Sequence, residues 1–463
     1  MKKILSLVVL MVIVTMVCCN EDEPVKKGKV SFILDRDNIL NSLGNVQKYV
    51  NDADVKSVKI SVRNDKGKAI FTDKIIELTP FEDDFITEPL KLKVGSYVLT
   101  QFEIMDESGV TTFETPVEGA GNANLVTDPL DIDFIVTTDS IGVLPDVVSI
   151  TESISFQLSV SSFNSATETF EGTQADISVV SGDELLTDYT LPATASQVDV
   201  EKSDSYTVTI TKTGYAPYER TFSLSEIQAY AAQSMKIRVY SESTLNNLLV
   251  YYPMSGNAND ASGHSHHGTV DGAALNTDFL GNFNSSYRFD GLNDLINLGN
   301  ILDDLTYPFT ISAWIKRESA SSPPYNNFFS SQEGPSEVYN GVDLAVNGPS
   351  HHGITLGDGR GQNNSAFRKS MVAYAETDKT DVWNHFAAVV NSNNDIKIYL
   401  DGIYVSGSYS GDSDQPMNSN YPGDVGMIGR WTSNGTTYFY KGSVDELRVW
   451  QRALTQTEIK GSM

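Results

Sequence analysis

Cysteine is nearly missing from this chain: among 463 residues there are two, the neighbours Cys18 and Cys19. That excludes a disulfide framework, so stability must come from buried apolar cores. The chain is long enough for several of them. Tryptophan and histidine are scarce, with four and six copies, and every one lies beyond residue 263. Residues 29–242 therefore lack the side chains that most often dominate recognition and acid–base chemistry. Positive charge is in deficit: 33 Lys and Arg face 60 Asp and Glu, a formal net charge of -27. Such a field argues against nucleic acid and against direct contact with an anionic membrane face. It suits an extracellular protein and cation binding. The apolar run Ile4–Val17 is too short to serve comfortably as a mature membrane span. No H-E-x-x-H, Ser-His-Asp frame or phosphate-cradling glycine loop is found.

What is there begins with a targeting segment. Lys2 and Lys3 precede the apolar run, which ends at Cys18-Cys19. This resembles a bacterial lipoprotein signal, in which a cysteine is lipidated and becomes the first mature residue. Cys19 is the expected site, because the small Cys18 then stands just before cleavage. The acidic stretch Asn20-Glu21-Asp22-Glu23-Pro24 resembles the export signal of Bacteroidetes surface lipoproteins. The expectation is a signal over 1–19, a tether over 20–28, and an outer-membrane protein exposed at the cell surface.

Residues 29–143 read as a first β module. Val58, Ile60 and Val62 alternate with Lys59, Ser61 and Arg63, and Leu90, Leu92 and Val94 alternate with Lys91 and Lys93. Its Leu90–Leu99, Thr115–Gly119 and Pro129–Phe134 segments resemble an N-terminal module of the same surface lipoproteins. Residues 144–242 read as a second. Ile154, Phe156, Leu158 and Val160 alternate with serines and Gln157, and Tyr206, Val208 and Ile210 do the same. Lys212–Tyr218 is similar to the Gly-Tyr turn of carboxypeptidase-regulatory-like or Ig-like sandwiches. Both modules are expected to act as spacers.

Residues 243–463 carry the most telling pattern. Phe309, Ile311, Ala313 and Ile315 alternate with Thr310, Ser312 and Trp314; Ile396, Ile398 and Leu400 alternate with Lys397 and Tyr399; Leu447 and Val449 alternate with Arg448 and Trp450. Period two means strands with one face on a core. Asp-Gly pairs at 271-272, 290-291, 358-359 and 401-402 predict tight turns. Thr455-Gln456-Thr457-Glu458 predicts a capping box opening a short helix. Phe289-Asp290-Gly291, Trp383–Val390, Ile398–Gly402, Ile428-Gly429-Arg430 and Gly442–Trp450, in this order, resemble the laminin-G-like jelly roll of the concanavalin A-like lectin and glucanase superfamily. The expected fold class is all-β: two Ig-like sandwich modules followed by a concanavalin A-like (laminin-G-like) jelly roll.

The resemblance implies candidate sites. Asn257 and Asp260 in the Gly256–Gly263 loop, with Asp445, would supply oxygens to a structural calcium ion. Trp431, with Tyr421, Tyr438 and Tyr325, would offer aromatic faces to a sugar. Trp314, Trp383 and Trp450 sit on strand patterns and are expected in packing. His264, His266 and His267, and the pair His351-His352, lack a converging metal frame and are expected in exposed loops. Glu376-Thr377-Asp378-Lys379-Thr380-Asp381 is the nearest approach to the paired carboxylates of related glucanases, but its intervening residues are polar and not of strand type. The expected function is non-catalytic binding of a polysaccharide or host glycan. The alternative is an adhesin for a protein partner, and a hydrolase or lyase ranks last.

Overall fold

The computed structural model describes residues 25–36, 39–40, 52–118, 120, 123–150, 153–303, 305–318, 326–333, 338–347, 351–361, 364–374, 380–420, 424–433 and 436–463. They are almost entirely strands and turns. The chain divides into two compact units: residues 1–155 with Val180–Leu186 and Asp199–Asp204, and the remainder.

In the first unit, eleven strands form one hydrogen-bonded sheet. Ser57–Asn64 lies between Ala69–Phe81 and Gly95–Met105, antiparallel to both. Its alternation turns Val58, Ile60 and Val62 into a core with Phe32, Leu99, Phe102 and Phe134. Lys27–Leu34 pairs on one side with the parallel strand Ser140–Val143 and on the other with the antiparallel strand Leu90–Lys93.

The second unit contains a smaller β module and the C-terminal module. In the smaller one, Ser153–Asn164 runs parallel to Ser234–Val239 from Gln157 onward. Ser205–Thr211 pairs with Tyr218–Ser223, joined through Gly214 at φ 79°.

The C-terminal module is a sandwich of two eight-stranded antiparallel sheets. The back sheet is centred on Phe309–Arg317, between Asn384–Ser392 and Lys441–Trp450. The front sheet runs from Thr269–Asp271 through Asn327–Glu333 and His351–Asp358 to Gly407–Ser410. Inward residues of both sheets, among them Ile311, Ala313, Ile315, Leu344, Ile354, Phe386, Ile398, Leu447 and Val449, form one core. The predicted turns are present: Gly272 and Gly402 take φ 81° and 72°, which a side chain would resist. So is the helix, Gln456–Gly461, with Thr455 Oγ1 accepting from the Glu458 amide and the Glu458 carboxylate accepting from the Thr455 amide.

Candidate binding face and the covered face of the C-terminal module

The outward positions of the front sheet are mostly polar, with Met427 among them, and Met427, Ser330 and Ser370 are buried. Asn297, Met427, Ser330, Asp343, Thr355, Ser370 and Ser410 follow one another in register across seven strands. At about 4.8 Å per strand this row is about 29 Å long. Thr355 and Ser370 share a 2.9 Å hydroxyl contact, and Arg368 donates to Ser370 at 2.7 Å. Ser330 is nearly buried and its hydroxyl meets no partner. A face of hydroxyls, one carboxylate and one guanidinium can exchange hydrogen bonds in both directions, as polyhydroxylated ligands require.

Trp431 and Tyr438 face each other across the hairpin of Arg430–Ser433 and Thr436–Phe439, with ring centroids 5.6 Å apart and planes 29° apart. Both are half-buried. The hairpin follows Val425–Ile428, the front-sheet strand that carries Met427. Tyr421 and Tyr325 lie outside the described residues, as do Cys18 and Cys19. Tyr440 is a core residue, edge-on to Phe289.

The calcium expectation does not fit the residues present. Asp260 is the hub of its loop: Oδ1 accepts from the Tyr251 and Ser262 amides at 2.9 Å, and Oδ2 from the Ser262 hydroxyl at 2.8 Å and the His266 amide at 3.0 Å. Burial pushes this carboxyl up, but these donors outweigh it and hold the group below the usual range. Its lone pairs are used internally, and Asn257 Oδ1 accepts from the Asn259 amide at 2.8 Å. Asp445 is elsewhere, opposite Trp314 on the back sheet. Burial, then the charge of Glu446, push its carboxyl well above the usual range, toward the neutral form that binds a hard cation poorly. Among the described residues, no three His, Cys, Asp or Glu side chains are grouped to hold a metal.

The paired histidines also need correction. His351–Asp358 is a strand, and its alternation turns His352 inward, its ring 6.4 Å from Phe386. His264 and His267 are exposed, as expected. Of the Glu376–Asp381 run, only Thr380 and Asp381 are described.

The outer face of the back sheet holds what sequence reasoning missed. There the alternate positions are large: Trp314, His385, Arg448 and Trp450, the last three without exposure. A bulge at Asp445–Glu446, with Glu446 at φ 52°, lets Glu446 and Arg448 meet. The Arg448 guanidinium also donates to the Ser462 carbonyl at 2.7 Å and the Tyr251 hydroxyl at 3.0 Å. It lies between the Tyr240 and Tyr251 rings, at 4.2 and 4.3 Å. Trp314 stacks on Phe279 at 4.2 Å and meets His385 edge-on at 5.4 Å. Neither His385 ring nitrogen has a partner; burial, then Arg448 and Arg238, push its pKa down to about 3.

The cover is supplied by the smaller module and the C-terminal helix. Asn282 sets its carboxamide against the backbone of Lys236, accepting from the amide and donating to the carbonyl, both at 2.8 Å. Arg238 donates to the Met463 carbonyl at 2.6 Å. Trp450, Leu454 and Ile459 pack with Tyr399 and Leu248 in a second apolar cluster. A cavity of about 60 Å³ remains at this junction, lined by Arg220, Tyr230, Arg238, Tyr240, Asp278 and Glu446. Burial pushes Asp278 up to about 6, against the lowering effect of the Asn282 donors. One signal for this cover was legible in the sequence: the supposedly polar face of these strands carries Trp314, Tyr399 and Trp450.

Comparison with known proteins agrees with the sandwich. Residues 289–460 match the family model described as the concanavalin A-like lectin/glucanases superfamily. No curated protein matches the sequence. The botulinum neurotoxin serotype D binding domain is similar over 47% of this chain and 52% of its own, at 17% identity and a TM-score of 0.35. Domain 4 of AbnA, a GH43 extracellular arabinanase from Geobacillus stearothermophilus solved in complex with arabinotriose, is similar over 47% of this chain and 98% of its own, at 18% identity and a TM-score of 0.32. The binding domain of Paraclostridial Mosquitocidal Protein 1 covers 47% and 52%, at 16% identity and a TM-score of 0.37. The chain thus spans about half the length of the two toxin domains.

Proposed function

Starting from a C-terminal module of the concanavalin A-like lectin/glucanases superfamily, we propose that this protein is a non-catalytic glycan-binding lipoprotein, held at the outer membrane through Cys19 and displayed at the cell surface. The observation that carries the binding reading is the polar row on the front sheet. Asp343, Thr355 and Ser370 read hydroxyls, and the Trp431–Tyr438 hairpin offers an aromatic edge for an apolar sugar face. The covered back sheet supports the same choice of face, because its own outer positions are already used inside the protein.

The test is binding of the chain from Asn20 to Met463 to a panel of polysaccharides and host glycans. The expected result is a ligand whose affinity falls at least tenfold in Asp343→Ala and in Trp431→Ala, with EDTA making no difference. Binding to nothing in the panel, or binding indifferent to both substitutions, would sink the reading.

A second reading, a protein-binding adhesin, is favoured by one observation. At the edge where Ile403–Val405 and Gly407–Ser410 run, Ile403, Tyr404, Tyr409 and Tyr374 are exposed together. Capture of a host matrix protein, lost in Tyr404→Ser and unaffected by free sugars, would move the function there.

A further inference from the structure

The first unit carries a positive face that the net charge hides. Lys27 stands directly across from Lys93, and Lys29 across from Lys91, on the antiparallel strands Lys27–Leu34 and Leu90–Lys93. Alternation turns all four outward, and all four are exposed. Along each strand the two lysines are about 6.8 Å apart, and across the pair about 4.8 Å. Like charges set directly opposite destabilise a sheet. In a chain with 60 carboxylates, relief by ion pairing would be easy to arrange. None of the four is ion-paired among the described residues, and the carboxylates that border these strands, Glu88 and Asp139, pair with none of them.

Protection of an open sheet edge is a common role for lysine. It accounts for Lys91 and Lys93, whose strand pairs only with its neighbour. It does not account for Lys29, which has ladder partners on both sides, Lys91 and Ser140; Lys27 lies beyond the register with Ser140–Val143. Two residues before Lys27 stands the exposed apolar side chain of Val25, 54% accessible. The Val94 amide donates to the Lys26 carbonyl at 2.9 Å, which holds the two segments together. Lysines beside an exposed apolar group match the chemistry of an anionic lipid surface: phosphate for the ammonium groups, the acyl boundary for Val25.

We propose that this four-lysine face docks the first unit on an anionic phospholipid surface. The idea rests on the anchor reading for its geometry. Lys27 is eight residues from Cys19, so the connecting chain spans at most about 29 Å even fully extended. The net charge of -27 does not oppose this, because charges more than about 8 Å away are largely screened at physiological salt.

The experiment is flotation of the chain from Asn20 to Met463, which lacks Cys19, with two kinds of vesicle: phosphatidylcholine alone, and phosphatidylcholine with phosphatidylglycerol. The expected result is binding to the second kind only, weakened by salt. Each Lys→Gln change at 27, 29, 91 or 93 should reduce it about fivefold, and the fourfold variant should abolish it while melting no lower than the parent. Absence of phosphatidylglycerol-dependent binding would overturn the proposal. So would a fourfold variant that still floats, including one that merely aggregates, which would assign the lysines to edge protection. Binding to duplex DNA but not to vesicles would overturn it in favour of another polyanion. The mass of the N-terminal peptide from cells tests the anchor separately: vesicle binding with an unlipidated N-terminus upholds the lysine face and sinks only the anchor.

Discussion

The two sheets of the C-terminal module share one core and one alternation, yet their outer faces carry different side chains and are covered to different extents. In the back sheet the outward residues are Trp314, His385, Arg448 and Trp450, and they are covered. In the front sheet they are Met427, Ser330, Asp343, Thr355, Ser370 and Ser410; Met427, Ser330 and Ser370 are buried, while Asp343 and Thr355 are half-buried and Ser410 is exposed. A period of two says that a strand has two faces; it does not say that the second one meets water. Residue size on that second face is the better guide. Large aromatics and a stacked arginine belong to an interior, while short hydroxyls and a carboxylate leave room for a guest.

The strongest way to break this comparison is to remove the cover. A chain beginning at residue 243 lacks Arg238 and Tyr240 and leaves Trp314, Phe279 and Arg448 exposed. It is expected to aggregate or to lose most of its unfolding free energy in urea relative to the chain from Asn20. A soluble and equally stable fragment would show that the back face tolerates water after all.

Next in size is Arg448→Met. The substitution leaves Glu446, 12% exposed, without its cation and should cost about 3 kcal/mol in denaturant unfolding. Asn282→Ala, which strips both backbone partners from Lys236, should cost about 1–3 kcal/mol by the same measurement.

His385→Phe removes no hydrogen bond and is expected to change stability at pH 7.5 by under about 1 kcal/mol. Its signature is in pH. The native ring, with a pKa pushed down to about 3, refuses a proton that the unfolded chain accepts near 6.5. The parent should therefore lose stability as pH falls below about 6.5, and the variant should lose about 1.4 kcal/mol less per pH unit there. Asp278 works in the opposite direction: with its pKa pushed up to about 6, its share of stability is full below about pH 4 and is lost as pH rises through 6. Stability curves of Asp278→Asn and His385→Phe against pH should diverge from the parent with opposite slopes. The smallest effect belongs to the front face, where Thr355→Ala should stay within about 0.5 kcal/mol of the parent in the same denaturant series.

Much of the C-terminal module was legible residue by residue. Phe309–Ile315, Ile396–Leu400 and Leu447–Val449 announced their strands, Gly272 and Gly402 their turns, and Thr455 with Glu458 the final helix. The candidate site was legible only in part. Trp431 and Tyr438 do come together, because a hairpin of matched strands sets them opposite each other. Asn257, Asp260 and Asp445 do not form the expected calcium site, because Asp260 is saturated by its own loop and Asp445 is buried opposite Trp314. His352 is expected in an exposed loop from the sequence, since the pair lacks a converging metal frame. Pairing along the whole His351–Asp358 segment turned it inward.

Local rules thus determined which segments of this protein are strands, where they turn and how the last helix begins, since period, glycine and capping act over a few residues. Only the tertiary structure decided which outer face is covered and which hydroxyls line up across seven strands. It also decided that Lys27 and Lys29 meet Lys93 and Lys91. Those outcomes depend on strand register and on contacts between segments up to hundreds of residues apart, and no short-range pattern encodes either.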